Sequence, residues 1–381
     1  MPKFNTPTTM NLNIATLPGD GIGPEVTKQA VKVLQTIEKI FGHTFEFHEA
    51  LVGAIAIDKT GNPLPEETLD ICRKADAVLF GSIGDPKYDN DPEAKVRPEQ
   101  GLLRLRKELG LYANIRPIKA YETLLDNSPL KRNIIEGTDM IIYRELTGGI
   151  YFGEKKLNED KTIASDLCEY SQMEIERIAH LAFKAAITRR NKLTLIDKAN
   201  VLETSRLWRR VVTNMAKEYP SVALDFLFVD NAAMQMILNP SQFDVILTEN
   251  LFGDIISDEG SVIGGSIGLL ASASVGDKNA LFEPIHGSYP QAKNKDIANP
   301  IAAILSAAML LDHFGLNKEG DTIRKAVEKT LEYNIVTPDL NIVRNYGTNC
   351  VGDTIVNNLY NQNENGYINH ENIKIGRSII I

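Results

Sequence analysis

The chain has 381 residues, 43% of them hydrophobic, and a formal net charge of -9. That length exceeds the size at which one core usually stops growing, so two domains are expected, and the acidic balance argues against nucleic acid or an anionic membrane as a partner. Cys72, Cys168 and Cys350 are an odd, widely spaced set with no CxxC and no nearby histidine, which points to buried reduced thiols rather than a disulfide framework or a zinc site.

The N-terminal MPKFNTPTTMNLN carries neither an apolar h-region nor an arginine-rich amphipathic pattern, and no apolar run is long enough to span a bilayer, so a cytosolic protein is expected. The first predicted strand holds Leu12, Ile14 and Ala15, and the first predicted helix is EVTKQAVKVLQTIEKIF. Between them lies LPGDGIGPEV, Leu17 to Val26, with the spacing G-x-G-x-G-P. A Rossmann loop needs G-x-G-x-x-G opening a helix, so that bare amides meet a pyrophosphate. Here Pro24 removes a donor and suits a first helical turn, and Glu25 puts negative charge where a phosphate would sit. The loop is therefore not read as a Rossmann phosphate site. A second strand follows in FEFHEALVG, and helix-like and strand-like segments alternate to the end of the chain, which argues α/β architecture with a largely parallel sheet.

In GLLRLRKELGLYANIRP a predicted helix leads into an extended segment, with Arg106 and Arg116 on either side of a turn, and Arg144 follows the apolar strand DMIIY. Guanidinium groups bind carboxylates as rigid forks, so three converging arginines would suit a di- or tricarboxylate; any one of them alone reads as solvated surface charge. Three further apolar runs end in charge: LTLID before Lys198, LDFLFV before Asp230 and FDVILTENLFG before Asp254. Ligands of parallel sheets sit off the carboxyl ends of strands, which is where these charges fall. Asp258, four residues after Asp254, shares its helix face, and like charges at that spacing call for a cation or a basic partner. Carboxylates without histidine or cysteine suit Mg2+ or Mn2+, while two helix-start aspartates favoured by the macrodipole would explain the pair as well on local grounds. Later, ALFEPIHGSYPQAKNKDIANP sets His286, Gly287 and Ser288 in a loop ahead of the helix NPIAAILSAAMLLDHF. Such a loop can wrap an adenine and ribose with backbone amides, although a single histidine there also fits a structural role. The tail from Asn361 is asparagine-rich and then apolar, and suggests no function.

Taken in this order, LPGDGIGPEV, GLLRLRKELGLYANIRP, RELTGGIYFGE, IDKANVLETSRLWR, FVDNAAMQMI, TENLFGDIISDEGS and FEPIHGSYPQAKNKDIANP resemble the β-decarboxylating dehydrogenases, the family of isocitrate and 3-isopropylmalate dehydrogenases. The resemblance implies a two-domain α/β fold with a large mixed, mostly parallel sheet that is not Rossmann. It divides the chain into a cofactor domain from residues 1–111 and 265–381 and a substrate, metal and dimerisation domain from 112–264, with an arm near Tyr151 to Tyr170 pairing across a homodimer. Arg106, Arg116 and Arg144 would hold substrate carboxylates, Asp230, Asp254 and Asp258 a Mg2+ or Mn2+ ion, and Asp230 would also face the substrate. Lys198 would remove the C2 hydroxyl proton and Tyr151 would protonate the carbon left by decarboxylation. Lys198 and Asp230 would come from the second subunit. NAD would lie along Glu283, His286, Gly287, Ser288, Gln291 and Asn299, with Ile22 and Glu99 alongside.

Where isocitrate enzymes present polar residues to the group at C3, this chain reads Gly101, Leu102, Leu103, and Val201 adds to the wall. A third carboxylate there would lose hydration without a partner, whereas an isopropyl group gains roughly 0.8 kcal/mol per buried CH2. The implied reaction is NAD-dependent oxidation of 3-isopropylmalate to 2-oxoisocaproate and CO2, a leucine-pathway step. NAD-specific relatives place an aspartate after HGSxP and NADP-dependent ones a lysine followed by tyrosine; Gln291 and Ala292 supply neither charge, and Lys293 and Lys295 lie close by in sequence. Homoisocitrate, isocitrate, tartrate or malate are the rival substrates. A silent regulatory subunit would lack the acid, base or metal residues, all present here, and phosphoryl transfer would need a Walker-type loop, which is missing.

Overall fold

The computed structural model describes residues 9–90 and 95–363; most of the tail that begins at Asn361 lies outside them. In chain order the strands are β1 (Asn11–Gly19), β2 (Thr44–Glu49), β3 (Ala77–Ser82), β4 (Ala113–Lys119), β5 (Asp139–Glu145), β6 (Lys155–Leu157), β7 (Ala164–Asp166), β8 (Lys192–Asp197), β9 (Ala223–Phe228), β10 (Val245–Thr248), β11 (Ala271–Val275) and β12 (Ala280–Pro284). Ten of them form one sheet in the order β2-β1-β3-β12-β11-β4-β5-β10-β8-β9, and β6 pairs β7 in a separate exposed hairpin. The order is not that of a Rossmann sheet.

Strands β3, β10, β11 and β12 are buried along their whole length, because helices cover both faces of the sheet. The first helix, Gly23–Phe41, shows how: Val26, Ala30, Val33, Leu34 and Ile37 recur at helical spacing and all lie in the largest core cluster. Pro24 occupies its first turn, and Gly42, with φ 80°, ends it by donating to the Glu38 carbonyl.

Most pairings are parallel, but β4 runs antiparallel to both β5 and β11, and β11 antiparallel to β12. Following these directions, β1, β3 and β12 end at one edge of the sheet and β5, β8, β9 and β10 at the other. The strands from the first 111 residues and those after residue 264 fill one half of the sheet, and those between fill the other half.

The opening glycine motif has a packing role. A side chain on Gly21 (φ 57°) would place its Cβ 1.9 Å from the Ser288 carbonyl oxygen, and one on Gly19 (φ 69°) would lie 2.0 Å from that of Ser82. These glycines let the ends of β1 and β3 and the loop after β12 close on one another. Asp20, buried beside them, accepts the amides of Ala54 (2.8 Å), Ile55 (2.9 Å) and Gly84 (3.0 Å), while burial pushes its carboxyl pKa up. Glu25 accepts the amides of Asn294 (2.7 Å) and Asp296 (3.2 Å), so its negative charge latches the later loop.

Among the cysteines, Cys72 is buried as expected, but Cys168 and Cys350 are half-buried; all three are free thiols. Their segments cross the edge of the core rather than its centre, which spacing along the chain does not reveal.

Candidate active site

The helix Pro98–Glu108 delivers Arg106, β4 carries Arg116 midway along its length, and β5 brings Arg144 at its end. All three line one cavity of about 560 Å³ on the sheet, together with Leu103, Tyr151 and Asp254. Arg106 donates from Nη2 to Glu283 at 2.7 Å, which ties the helix to β12 within the half of the sheet built from the two ends of the chain. Its Nε is buried without a hydrogen-bond partner. An orphan guanidinium donor costs free energy unless an acceptor arrives, and a ligand carboxylate is the acceptor that fits such a fork.

Arg144 is the most enclosed of the three. Its Nε donates to the Asn250 carbonyl at 2.9 Å, its Nη2 to the Asn250 side-chain oxygen at 2.9 Å, and its Nη1 to Asp254. Burial pushes the guanidinium down to about 10, with the Asp254 carboxylate opposing that shift, so the group stays charged at neutral pH. Arg116 donates to Asn114 at 2.8 Å, to Ser257 at 2.6 Å and to Asp258 at 2.9 Å.

Asp254 and Asp258 sit one turn apart on the helix Asn250–Ser261, and neither lies in its first turn. The macrodipole therefore does not account for the pair, since its effect fades within that turn. Arginines do: Arg144 holds Asp254 and Arg116 holds Asp258. The Tyr151 hydroxyl donates to the second Asp254 oxygen at 2.7 Å, and burial followed by that bond raises its pKa. Leu103 lines the cavity, whereas Leu102 is half-buried against the neighbouring core cluster.

Lys198, Asp230 and Val201 stand apart from this cavity. They follow the ends of β8 and β9, two and three strands along from β5, or about 10 and 14 Å at ordinary strand spacing. Lys198 Nζ donates to Asp230 at 2.6 Å, and that bond holds the Asp230 carboxyl below the usual carboxylate range. Asp230 and Val201 are 67% and 60% exposed. Among the described residues of one chain, no three His, Cys, Asp or Glu side chains converge as a metal centre. Asp254 and Asp258 present hard carboxylate oxygens of the kind Mg2+ and Mn2+ take.

The cofactor candidates cluster at the other edge. The Ile22 amide donates to the Ser288 carbonyl at 2.8 Å, joining the opening loop to the one after β12. His286 is buried with Nε2 unpartnered, and burial lowers its pKa, so it is neutral near pH 7. Apart from Gly287 itself and its chain neighbours, no atom lies within 4 Å of the position a Cβ would take on Gly287. An orphan ring nitrogen beside open space suits a flat polar group such as a nucleoside. Gln291 is exposed, and Glu99 sits over Gly84. Asn299 is already engaged: it caps the helix Ile301–His313 at the Ile301 amide and donates to Asp339 at 3.0 Å.

Three supporting residues escape a reading of the sequence. Asn250 grips Arg144 and also donates to the Gly148 carbonyl at 3.2 Å, tying the helix to the loop that carries Tyr151. Glu249, buried before it, caps the same helix through the Phe252 amide at 3.2 Å. Asp339 gathers Asn299 and Ser266. Asn250 and Glu249 lie inside the quoted TENLFGD, where helix-start chemistry gave a signal; Asp339 gave none.

The profile of the isocitrate/isopropylmalate dehydrogenase family matches residues 13–355. The 3-isopropylmalate dehydrogenase of Bacteroides fragilis is 55% identical over 349 residues, 91% of this chain and 98% of that protein. That of Aquifex aeolicus is 53% identical, covering 91% and 96%. Among solved structures, isocitrate dehydrogenase from Methylococcus capsulatus superposes with a TM-score of 0.82 at 35% identity, covering 91% of this chain and 99% of that one. A β-decarboxylating dehydrogenase from Thermococcus kodakarensis gives 0.78 at 38%, covering 92% and 96%.

Proposed function

The chain belongs to the isocitrate/isopropylmalate dehydrogenase family, and we propose that within it the substrate is 3-isopropylmalate, oxidised by NAD and decarboxylated to 2-oxoisocaproate and CO2 in leucine biosynthesis. The observation that carries this reading is the cavity in which Arg106, Arg116 and Arg144 converge beside Leu103. Three cations suit a dicarboxylate, and the leucine side chain suits an aliphatic group at C3.

The arginines orient the two carboxylates. Bound Mg2+ or Mn2+, held by Asp254, Asp258 and a second subunit's Asp230, supplies Lewis acidity, and NAD, seated along Ile22, Glu99, Glu283 and the stretch from His286 to Asn299, supplies the hydride acceptor. Lys198 removes the C2 hydroxyl proton as the C2 hydride departs. Loss of the β-carboxylate as CO2 leaves an enolate carbon, which the Tyr151 hydroxyl protonates. The raised phenol pKa suits Tyr151 to hold its proton until that step.

The distance between the two groups of residues supports a homodimer with shared sites. Lys198, Asp230 and Val201 are exposed at the far strands, and Met234, Leu238 and Ile255 form an exposed apolar face on the neighbouring helices. The hairpin β6-β7, with Leu157 exposed, is the arm that would pair with a second copy. The cofactor domain comprises residues 1–111 and 265–381 and the substrate domain 112–264. No described helix is long and apolar enough to cross a membrane, and we place the enzyme in the cytoplasm.

The test is NADH formation by the purified protein with Mg2+ or Mn2+, comparing 3-isopropylmalate, isocitrate and malate at equal concentration, each repeated with NADP. Preference for 3-isopropylmalate with NAD supports the reading, and activity confined to another acid overturns it.

A further inference from the structure

Lys198 and Asp230 leave the ends of two strands, β8 and β9, whose last paired residues are Asp197 and Phe228. Among the described residues, strand β9 is the outer strand of the sheet, with no neighbour on its other side. The ladder with β8 therefore steadies the end of β9 from one side only, and a further contact is needed to fix the side chains that leave it. Asp197 is a carboxylate in the core, its side chain 2% exposed, and such a charge requires a hydrogen-bonded partner.

Arg209, on the helix Glu203–Met215, meets both needs. Its Nε donates to Asp197 Oδ2 and its Nη2 to Asp197 Oδ1, each at 2.8 Å, a two-pronged pair. The same guanidinium lies 4.8 Å from the ring centre of Phe226 and 5.3 Å from that of Phe228, both on β9. Asp197 Oδ1 also accepts the Ala199 amide at 3.0 Å, which fixes the turn carrying Lys198. Lys198 Nζ in turn lies 5.8 Å from the Phe228 ring centre. One planar cation thus grips the residue before Lys198 and the two aromatic residues that precede Asp230.

We propose that Arg209 is a positioning residue for the Lys198–Asp230 pair: its fork on Asp197 and its stacking on Phe226 and Phe228 set the spacing of the base and the carboxylate that a second subunit receives. The proposal rests on the roles given to Lys198 and Asp230 above. A lysine at 209 keeps the charge but has neither fork nor plane, so it should not substitute.

The test uses the full-length protein and three variants, Arg209→Lys, Arg209→Ala and the exposed neighbour Arg210→Ala. The expected result for Arg209→Lys is a kcat at least tenfold lower, a half-saturating Mg2+ concentration severalfold higher, and unchanged NADH binding by fluorescence. Free guanidinium at millimolar concentration should restore part of the kcat of Arg209→Ala, and Arg210→Ala should match the parent. Mn2+ affinity, read by electron paramagnetic resonance without substrate, should weaken severalfold in Arg209→Lys. That readout separates the proposal from the functional reading: a parent inactive on 3-isopropylmalate whose Mn2+ affinity still depends on Arg209 overturns the reading and supports the positioning role. Parent-like kcat and Mn2+ affinity in a folded Arg209→Lys overturn the proposal, as does a loss matched by lost NADH binding.

Discussion

The Tyr151 hydroxyl and Arg144 grip opposite oxygens of one carboxylate, Asp254, with the tyrosine bond at 2.7 Å. A residue expected to give a proton and a residue expected to bind substrate are therefore positioned by the same metal-ligand candidate. On the proposed mechanism, a cation that drew Asp254 away would loosen the hold on Tyr151.

Tyr151→Phe removes the hydroxyl and little else, because the side chain is 41% exposed. Folding stability should stay within about 0.5 kcal/mol of the parent. The kcat should fall by about 100-fold or more, the usual worth of a positioned acid. Steady-state kinetics beside a thermal melt checks both.

Mixing Tyr151→Phe with Lys198→Ala tests the shared site. Each variant alone should be nearly inactive. In a mixed dimer one site combines both lesions and the other combines neither, so activity should reappear on co-expression or subunit exchange. No recovery in verified mixed dimers would place both residues of a site in one chain.

Leu103 faces the cavity and is 52% exposed, so Leu103→Ser should leave stability nearly unchanged. Its effect should fall on selectivity. Losing apolar contact of this size typically costs about 10- to 200-fold in kcat/KM. The loss should appear with 3-isopropylmalate and not with isocitrate, measured side by side.

Gln291 is exposed beside the cofactor loop, with Lys293 and Lys295 also exposed. Gln291→Asp brings a negative charge that repels a 2'-phosphate and accepts from ribose hydroxyls. The ratio of kcat/KM with NAD to that with NADP should rise at least tenfold.

Glu249 is buried at the start of the helix bearing Asp254, and burial raises its carboxyl pKa. A group with a raised folded-state pKa contributes stability below its unfolded pKa, and that contribution is lost as pH rises through the folded value. Glu249→Gln lacks this loss. Its stability relative to the parent should therefore improve as pH rises from about 4 towards 7, measured by denaturant unfolding at each pH.

The sequence alone determined the α/β class, the run of charges after apolar strands, and the absence of a Rossmann loop. These are short-range matters: glycine spacing, a proline at a helix start and unbroken apolar runs act through a few neighbouring residues. It also marked Arg106, Arg116, Arg144, Tyr151 and Asp254, because their motifs stand intact. What only the tertiary structure decided is who meets whom. Arg144 and Asp254 are 110 residues apart and Arg106 and Glu283 are 177 apart, and each meeting depends on strand order: β10 lies beside β5, and β12 returns late in the chain to the half of the sheet that the first strands build. The same order sets Lys198 and Asp230 beyond reach of the arginines of their own chain, and it turns Glu25 from a misplaced charge into the latch of a distant loop. Local pattern fixes which chemistry a residue can offer, and the register of distant strands fixes where that chemistry is delivered.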